Sequence, residues 1–263
     1  MSNWLGRLGA ATLGKLRVHG DTAAVVWETF RVALRRETWP RTVRNVFVRQ
    51  VLFTGYEASR FISLLAVMVG ISVVVQMQVW LARVGQTGLL GPVLVMVIVR
   101  ELGPLLVNFI VLGRSGTAVA TELGNMKIAG EVNVLDSQGL DPFIYLVVPR
   151  VLGMAISVFC LTIIFVIVSF LSGYLIGLLL GANPGPFVLF VESVFRAVRP
   201  ADVASVLVKT FVPGALTGAI CCMEGLSVST SMTEVPQVTT RAVVRSVGAL
   251  FVVSAVMSIL TYA

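Results

Sequence analysis

Residues 151–191 of this 263-residue chain carry no charged side chain, and residues 61–99 carry only one, Arg83. The hydrocarbon core of a bilayer, about 30 Å thick, is crossed by roughly 20 consecutive apolar residues in a helix, which bonds all of its own backbone. Charged residues make up 13% of the chain, where a soluble domain averages about 25%. The predicted fold class is therefore an all-α integral membrane protein. Windowed hydropathy places five spans near 61–82, 89–113, 148–181, 203–225 and 244–262. The third is longer than one crossing needs, and Asn183-Pro184-Gly185-Pro186 ends it. Residues 187–200 read as a short amphipathic helix outside the membrane. No internal repeat is visible, and five spans do not divide into two equal inverted halves.

Residues 1–60 hold ten of the twenty Lys and Arg and form a basic, interfacial N-terminal segment ahead of a five-span region over 61–263. Within it, Thr22–Glu37 repeats apolar residues at Val26/Trp27, Phe30 and Ala33/Leu34, with Arg31, Arg35 and Arg36 largely off that stripe. This is the pattern of a helix lying flat on a membrane surface; an ordinary soluble helix packed on a neighbour shares it. Trp39-Pro40 ends it. The first long apolar run begins at Phe61, behind a basic stretch, which is not how a signal peptide is built. With a cytoplasmic N-terminus, the inner side carries fifteen Lys/Arg and the outer side three, Arg83, Arg196 and Arg199. The positive-inside rule then puts 114–147 and 226–243 in the cytoplasm and the C-terminus outside. The pI near 9.9 follows from this topology and from anionic lipid, with no need for nucleic acid.

The second span breaks the apolar pattern with Arg100-Glu101. Insertion scales put such a residue at a helix centre at roughly 2.5–3.5 kcal/mol, and intramembrane charges of this kind mark substrate paths. Pro104 lacks the N–H that would bond the carbonyl of Arg100, so one turn offers a cation, an anion and a freed carbonyl at mid-membrane depth. Neighbouring helical residues point about 100° apart, so Arg100 and Glu101 do not pair with each other. Each takes a partner from another helix, from water or from a lipid headgroup. Lys209 and Pro213 repeat the layout in the fourth span, where Lys209 either joins the site or snorkels to the outer interface. Gln76, Gln78 and Asn108 are costly in lipid and complete the candidate lipid path, for which a dimer cavity between the first, second and fifth spans is the predicted setting. For the two glutamines the outer interface is the alternative.

Other chemistry is poorly served. Gly9–Leu16 approaches a phosphate-binding loop but has Leu16 at the hydroxyl position and no strand before it. The one histidine, His19, lies far from any span, which disfavours Ser-His catalysis and a histidine metal site. Cys160, Cys221 and Cys222 all lie in apolar runs and read as small packing residues. No cofactor or metal is expected. In 121–141, apolar Leu123, Met126, Val132 and Leu135 alternate with Glu122, Lys127, Glu131 and Asp136. One or two short helices, broken near Gly130 and Gly139, are expected there, as a solvated loop or as a docking surface.

RELGPLL (100–106), GRSGTAVATELGNMK (113–127), GLDP (139–142), VPR (148–150) and TTRAVVRS (239–246) resemble the MlaE-type permeases, membrane subunits of ABC transporters associated with MCE-domain proteins. The resemblance runs from about Arg49 to the C-terminus. It implies a homodimer of five-span subunits in the bacterial inner membrane, each preceded by an interfacial helix. It also implies two copies of a separate ATPase docked on a coupling helix within 115–142, and a periplasmic MCE partner that exchanges lipid, usually phospholipid. The permease itself is then no enzyme. Many relatives open the coupling helix with Glu-Gln where this chain has Glu131-Val132, so only the role of Glu131 carries over. A non-transporting scaffold of an envelope complex and an intramembrane lipid-modifying enzyme are the competing classes. The intramembrane charges favour transport over the first, and the lack of a nucleophile-base pair opposes the second.

Overall fold

The structure, a computed structural model, describes residues 20–35, 38–179, 186–229 and 231–262. The phosphate-loop-like stretch Gly9–Leu16, His19 and Asn183-Pro184-Gly185 lie outside them. Every element among the described residues is helical. Five helical segments are long and apolar enough to cross a membrane: Arg41–Val84, Leu90–Ile128, Phe143–Leu179, Pro200–Leu226 and Met232–Thr261.

The first of these joins α2 (Arg41–Val51) to α3 (Glu57–Val84) through a π-helical turn at Leu52–Tyr56. The backbone therefore runs unbroken past residue 60, where the sequence suggests a boundary. The second joins α4 (Leu90–Leu94), α5 (Gly103–Val111) and α6 (Thr117–Ile128), with π-helical stretches at Val95–Leu102 and Leu112–Gly116 between them. It continues well past residue 113, so Glu122 and Lys127 belong to a helix and not to a loop. Gly130 (φ 77°) and Gly139 (φ 76°) hold left-handed conformations that an L side chain rarely adopts, and they bracket the short α7 (Glu131–Ser137). A π-helical turn at Phe143–Val147 leads into α8 (Val148–Leu179). Then follow α9 (Phe187–Ala197), α10 (Pro200–Leu226) and α11 (Val235–Tyr262). Residues 20–33 form α1.

Packing directions follow from the register. Gly55 meets Ser157, Gly70 meets Ser169, Gly173 meets Val74 and Gly177 meets Gln78, so the first and third spans run parallel. Arg100 faces Asp202, Asn108 faces Lys209 and Gly225 faces Ala120, so the second and fourth do too. The fifth opposes both of these, with Ser258 at Lys209 and Arg245 at Glu224. Consecutive spans thus reverse, as a chain threading a bilayer must. The bundle has one end marked by Pro200 and another by Leu226. Between spans, lipid supplies no hydrophobic drive, so small residues that allow close approach set the contacts. A Cβ on Gly70 would sit 2.2 Å from the carbonyl oxygen of Ser169, and one on Gly173 would sit 2.4 Å from the Cβ of Val74. One apolar core, around Ile62, Leu94, Ile98 and Phe165, fills the Pro200 half. A second, around Leu123, Val151, Cys221 and Cys222, fills the other half. Helix α9 seals the Pro200 end by burying Phe190 and Val194, and Gly91 of α4 lies against Ser193.

Helix α1 packs on the bundle through one face and leaves its large apolar side chains outside. Thr22 and Thr29 are buried and Val25 and Val26 pack on the second core, whereas Trp27 (73% exposed), Phe30 and Leu34 (86% exposed) face outward.

Replacing Gly70 by Val should force the first and third spans apart at a backbone contact, a misfit of about 1–3 kcal/mol. Thermal unfolding in detergent should show a clear loss of Tm, while Gly248→Ala, with open space at its Cβ, should show none.

Candidate functional site

Two prolines create the site. Pro104 leaves the carbonyl of Arg100 without a helical donor, and Pro213 does the same to that of Lys209. The second and fourth spans resolve both defects reciprocally. Lys209 Nζ donates to the Arg100 carbonyl at 3.0 Å, and Asn108 Nδ2 donates to the Lys209 carbonyl at 3.2 Å and to that of Pro104 at 2.8 Å. The same ammonium pairs with Glu101 Oε1 at 2.6 Å and donates to Ser258 Oγ at 2.8 Å, and the Ser258 hydroxyl in turn reaches Glu101 Oε1 at 2.8 Å. Lys209 therefore binds three spans together. It is 2% exposed, which excludes snorkelling to the interface.

Arg100 turns the other way around the helix and forks onto Asp202, Nε to Oδ1 at 2.9 Å and Nη2 to Oδ2 at 3.1 Å. Asp202 also accepts the backbone N–H of Arg199 at 2.9 Å, so it caps α10 from within its first turn. Because Asp202 is the third residue of α10, the cluster lies toward the Pro200 end, not midway along the bundle as the sequence suggests. Arg100 and Glu101 lie in the π-helical stretch Val95–Leu102, where Gly103 N–H bonds the Ile98 carbonyl five residues back, a distortion that often marks functional positions.

The four charges sum to zero, but their burial differs. The side chains of Asp202 and Lys209 are each 1% exposed, that of Arg100 is 18% exposed and that of Glu101 is 42% exposed. The cluster is therefore closed behind and open in front, at Glu101. Asn108 is buried with its Oδ1 meeting no donor among the described residues.

The remaining candidates separate. Gln78 is buried between the first and third spans, where its amide meets Gly177 and finds no hydrogen-bond partner among the described residues. Gln76, two residues away, is exposed. The cluster is thus built from the second, fourth and fifth spans; the first packs on the third through its glycines. Toward the Leu226 end, Glu122 is paired with the buried Arg150 at 2.7 Å. Lys127 is half-buried, and Glu131 and Asp136 stand exposed on α7 with Val132 tucked inward. Two further features escaped the sequence reading. Glu224, buried, is held by Arg241 at 3.0 Å and by Arg245, and Arg114 pairs with Glu57 at 2.8 Å. Asp202 had a signal in the sequence: Pro200 followed by an acid two residues on is a helix start.

The model of the family described as Permease MlaE matches residues 47–260. The chain belongs to the MlaE permease family. A probable ABC transporter permease protein of Rickettsia prowazekii is 32% identical over 208 residues, 79% of each chain. A probable ABC transporter permease protein of Synechocystis is 32% identical over 213 residues, 81% of this chain and 80% of its own. Protein trigalactosyldiacylglycerol 1, chloroplastic, of Arabidopsis thaliana is 32% identical over 212 residues, 80% of this chain and 60% of its own. The paired charges of this MlaE permease thus belong to a membrane subunit of a transporter family.

Lys209→Met should strip the donors from Glu101 and the Arg100 carbonyl and cost about 3–5 kcal/mol. The double change Lys209→Met with Glu101→Gln should recover much of that loss in denaturant unfolding, because no lone charge remains.

Proposed function

We propose that this chain is the membrane-spanning half-channel of an ABC transporter that moves phospholipid between the inner membrane and a periplasmic MCE-domain partner, with a separate ATPase supplying the energy. The observation that carries the reading is the one-sided exposure of the charge cluster. A carboxylate 42% exposed on a transmembrane helix does not face acyl chains stably, so the open side belongs to a polar cavity. A second copy of the chain closes that cavity, and a lipid headgroup enters it, where the Glu101 carboxylate and the edge of the Arg100 guanidinium offer an anion and a cation to a zwitterion. The Arabidopsis relative's name, which is that of a galactolipid, is in keeping with lipid cargo.

In this reading the Leu226 end is cytoplasmic. Arg114, Arg150, Arg241 and Arg245 cluster there, in the sense of the positive-inside rule. Helix α7 is the coupling helix: its exposed Glu131 and Asp136 meet one of two ATPase copies, while Glu122 and Lys127 stiffen the helix that carries motion to Glu101. Helix α1 lies at the cytoplasmic interface with Trp27, Phe30 and Leu34 in the lipid. Pro104 serves as the hinge, Asn108 ties the second span to the fourth behind the cavity, Gln78 fastens the first span to the third, and Gln76 is an exposed polar residue of the first span.

The buried Arg100–Asp202 pair also suits a scaffold, and one experiment separates the two. The double variant Lys209→Met with Glu101→Gln, which keeps the Arg100–Asp202 pair and leaves no lone buried charge, should assemble with its ATPase yet lose lipid transfer from proteoliposomes by at least about tenfold, a barrier change near 1.4 kcal/mol. Wild-type transfer by a stable double variant would leave the scaffold as the better account.

A further inference from the structure

A second polar site lies at the opposite end of the molecule from the charge cluster. Between α2, α6 and the π-turn before α8 is a cavity of about 340 Å³ lined by Arg49, Gln50, Phe53, Glu122, Tyr145 and Arg150. An adjoining cavity of about 380 Å³ shares Val46, Arg49 and Tyr145 with it, so the two form one cleft. Its back wall is built. Arg150 is 5% exposed and fixed by the Leu146 carbonyl at 3.0 Å and by Glu122 at 2.7 Å, and its Nε meets no acceptor among the described residues. Gln50 is held by Thr54 at 2.7 Å. The front is open: Arg49 is exposed with no carboxylate on it among the described residues, and the Glu122 side chain is 57% exposed although one of its oxygens is bound.

The cleft therefore presents the open guanidinium of Arg49, the buried edge of a second guanidinium at Arg150 with one N–H unpartnered among the described residues, a phenol and a half-free carboxylate. Guanidinium groups favour phosphate, and the carboxylate favours a primary ammonium within the same small molecule. A simple anion would meet Glu122 as a repelling charge; a simple cation would meet Arg49. Beside the cleft, Val48, Leu52 and Tyr56 stand 47%, 52% and 68% exposed at four-residue spacing, and Val48 itself lines the adjoining cavity. Past the exposed Arg60 at the next step, the outward face of the first span is apolar again at Phe61, Leu64 and Met68. A headgroup in the cleft would have its acyl chain on that stripe.

We infer that this cleft is a second lipid site, which binds the phosphoethanolamine headgroup of a phospholipid from the leaflet at the Leu226 end. Phosphate sits between Arg49 and Arg150, ammonium on Glu122, and the acyl chains along Val48, Leu52 and Tyr56. The site is separate from the cavity at Glu101, and it makes Glu122 a ligand of lipid rather than of the ATPase.

The test uses the complex of the chain with its ATPase, without nucleotide, and native mass spectrometry of lipids retained from an equal mixture of phosphatidylethanolamine, phosphatidylcholine and phosphatidylglycerol. Phosphatidylethanolamine should be retained in preference. The exposed change Arg49→Gln should lower its retention about tenfold without affecting assembly. Glu122→Gln should remove the preference over phosphatidylcholine, whose quaternary amine donates no hydrogen bond. Leu52→Ser should weaken the lipid but leave competition by free phosphoethanolamine unchanged. Equal retention by wild type and Arg49→Gln would overturn the inference. So would retention by the isolated chain that vanishes in the complex, which would mean that the ATPase fills the cleft. Because no transport is measured, these outcomes stand apart from the fate of the cavity at Glu101.

Discussion

The two missing proline N–H groups are the constraint around which this bundle is organised. A helix that keeps Pro104 or Pro213 in lipid must bond the carbonyl four residues back by some other means, since no water is at hand. Each span borrows from the other: the Lys209 ammonium reaches the Arg100 carbonyl, and the Asn108 amide reaches that of Lys209. This exchange fixes the second and fourth spans in parallel and in register. It also places an ammonium where only a carboxylate makes it tolerable. Glu101 follows from Lys209, and Ser258 draws the fifth span onto the pair.

From that register the two ends of the molecule acquire different characters. At the Pro200 end, Arg100 and Asp202 lock behind the Lys209–Glu101 pair, and the exposed carboxylate is directed outward. At the Leu226 end, Glu57, Glu122 and Glu224 each take an arginine from another helix. These pairs tie together segments that the glycine contacts bring close, as at Gly225 against Ala120. One continuous helical segment, Leu90–Ile128, carries both Glu122 at this end and Arg100-Glu101 toward the other. Its π-helical stretches are the places where that helix can yield.

Much of the fold was legible because hydropathy and backbone chemistry are local. The five apolar runs, the breaks at Gly130 and Gly139, and the orphaned carbonyl of Arg100 can all be read within a turn or two. Partners were not legible, because they are distant in sequence. Nothing near Lys209 distinguishes a snorkelling lysine from one paired with an acid more than a hundred residues away. Nothing near Glu122 reveals Arg150. Gln76 and Gln78 read as a pair in sequence, yet two residues on a helix face nearly opposite ways, and the structure buries one and exposes the other. In α1 the apolar stripe was visible, but the face that packs on the bundle was not: Thr22 and Thr29 take the protein side and Trp27 and Leu34 are left outside.

The central claim is that the open face of the charge cluster lines a lipid cavity worked by ATP. A photo-reactive residue in place of Leu105, one turn from Glu101, reads it most directly in the assembled complex. Lipid capture there should fall during ATP turnover and recover when hydrolysis is blocked, while capture at Leu64, on the outward face of the first span, stays constant. Capture at Leu105 that is absent, or that ignores ATP as capture at Leu64 does, would contradict the account.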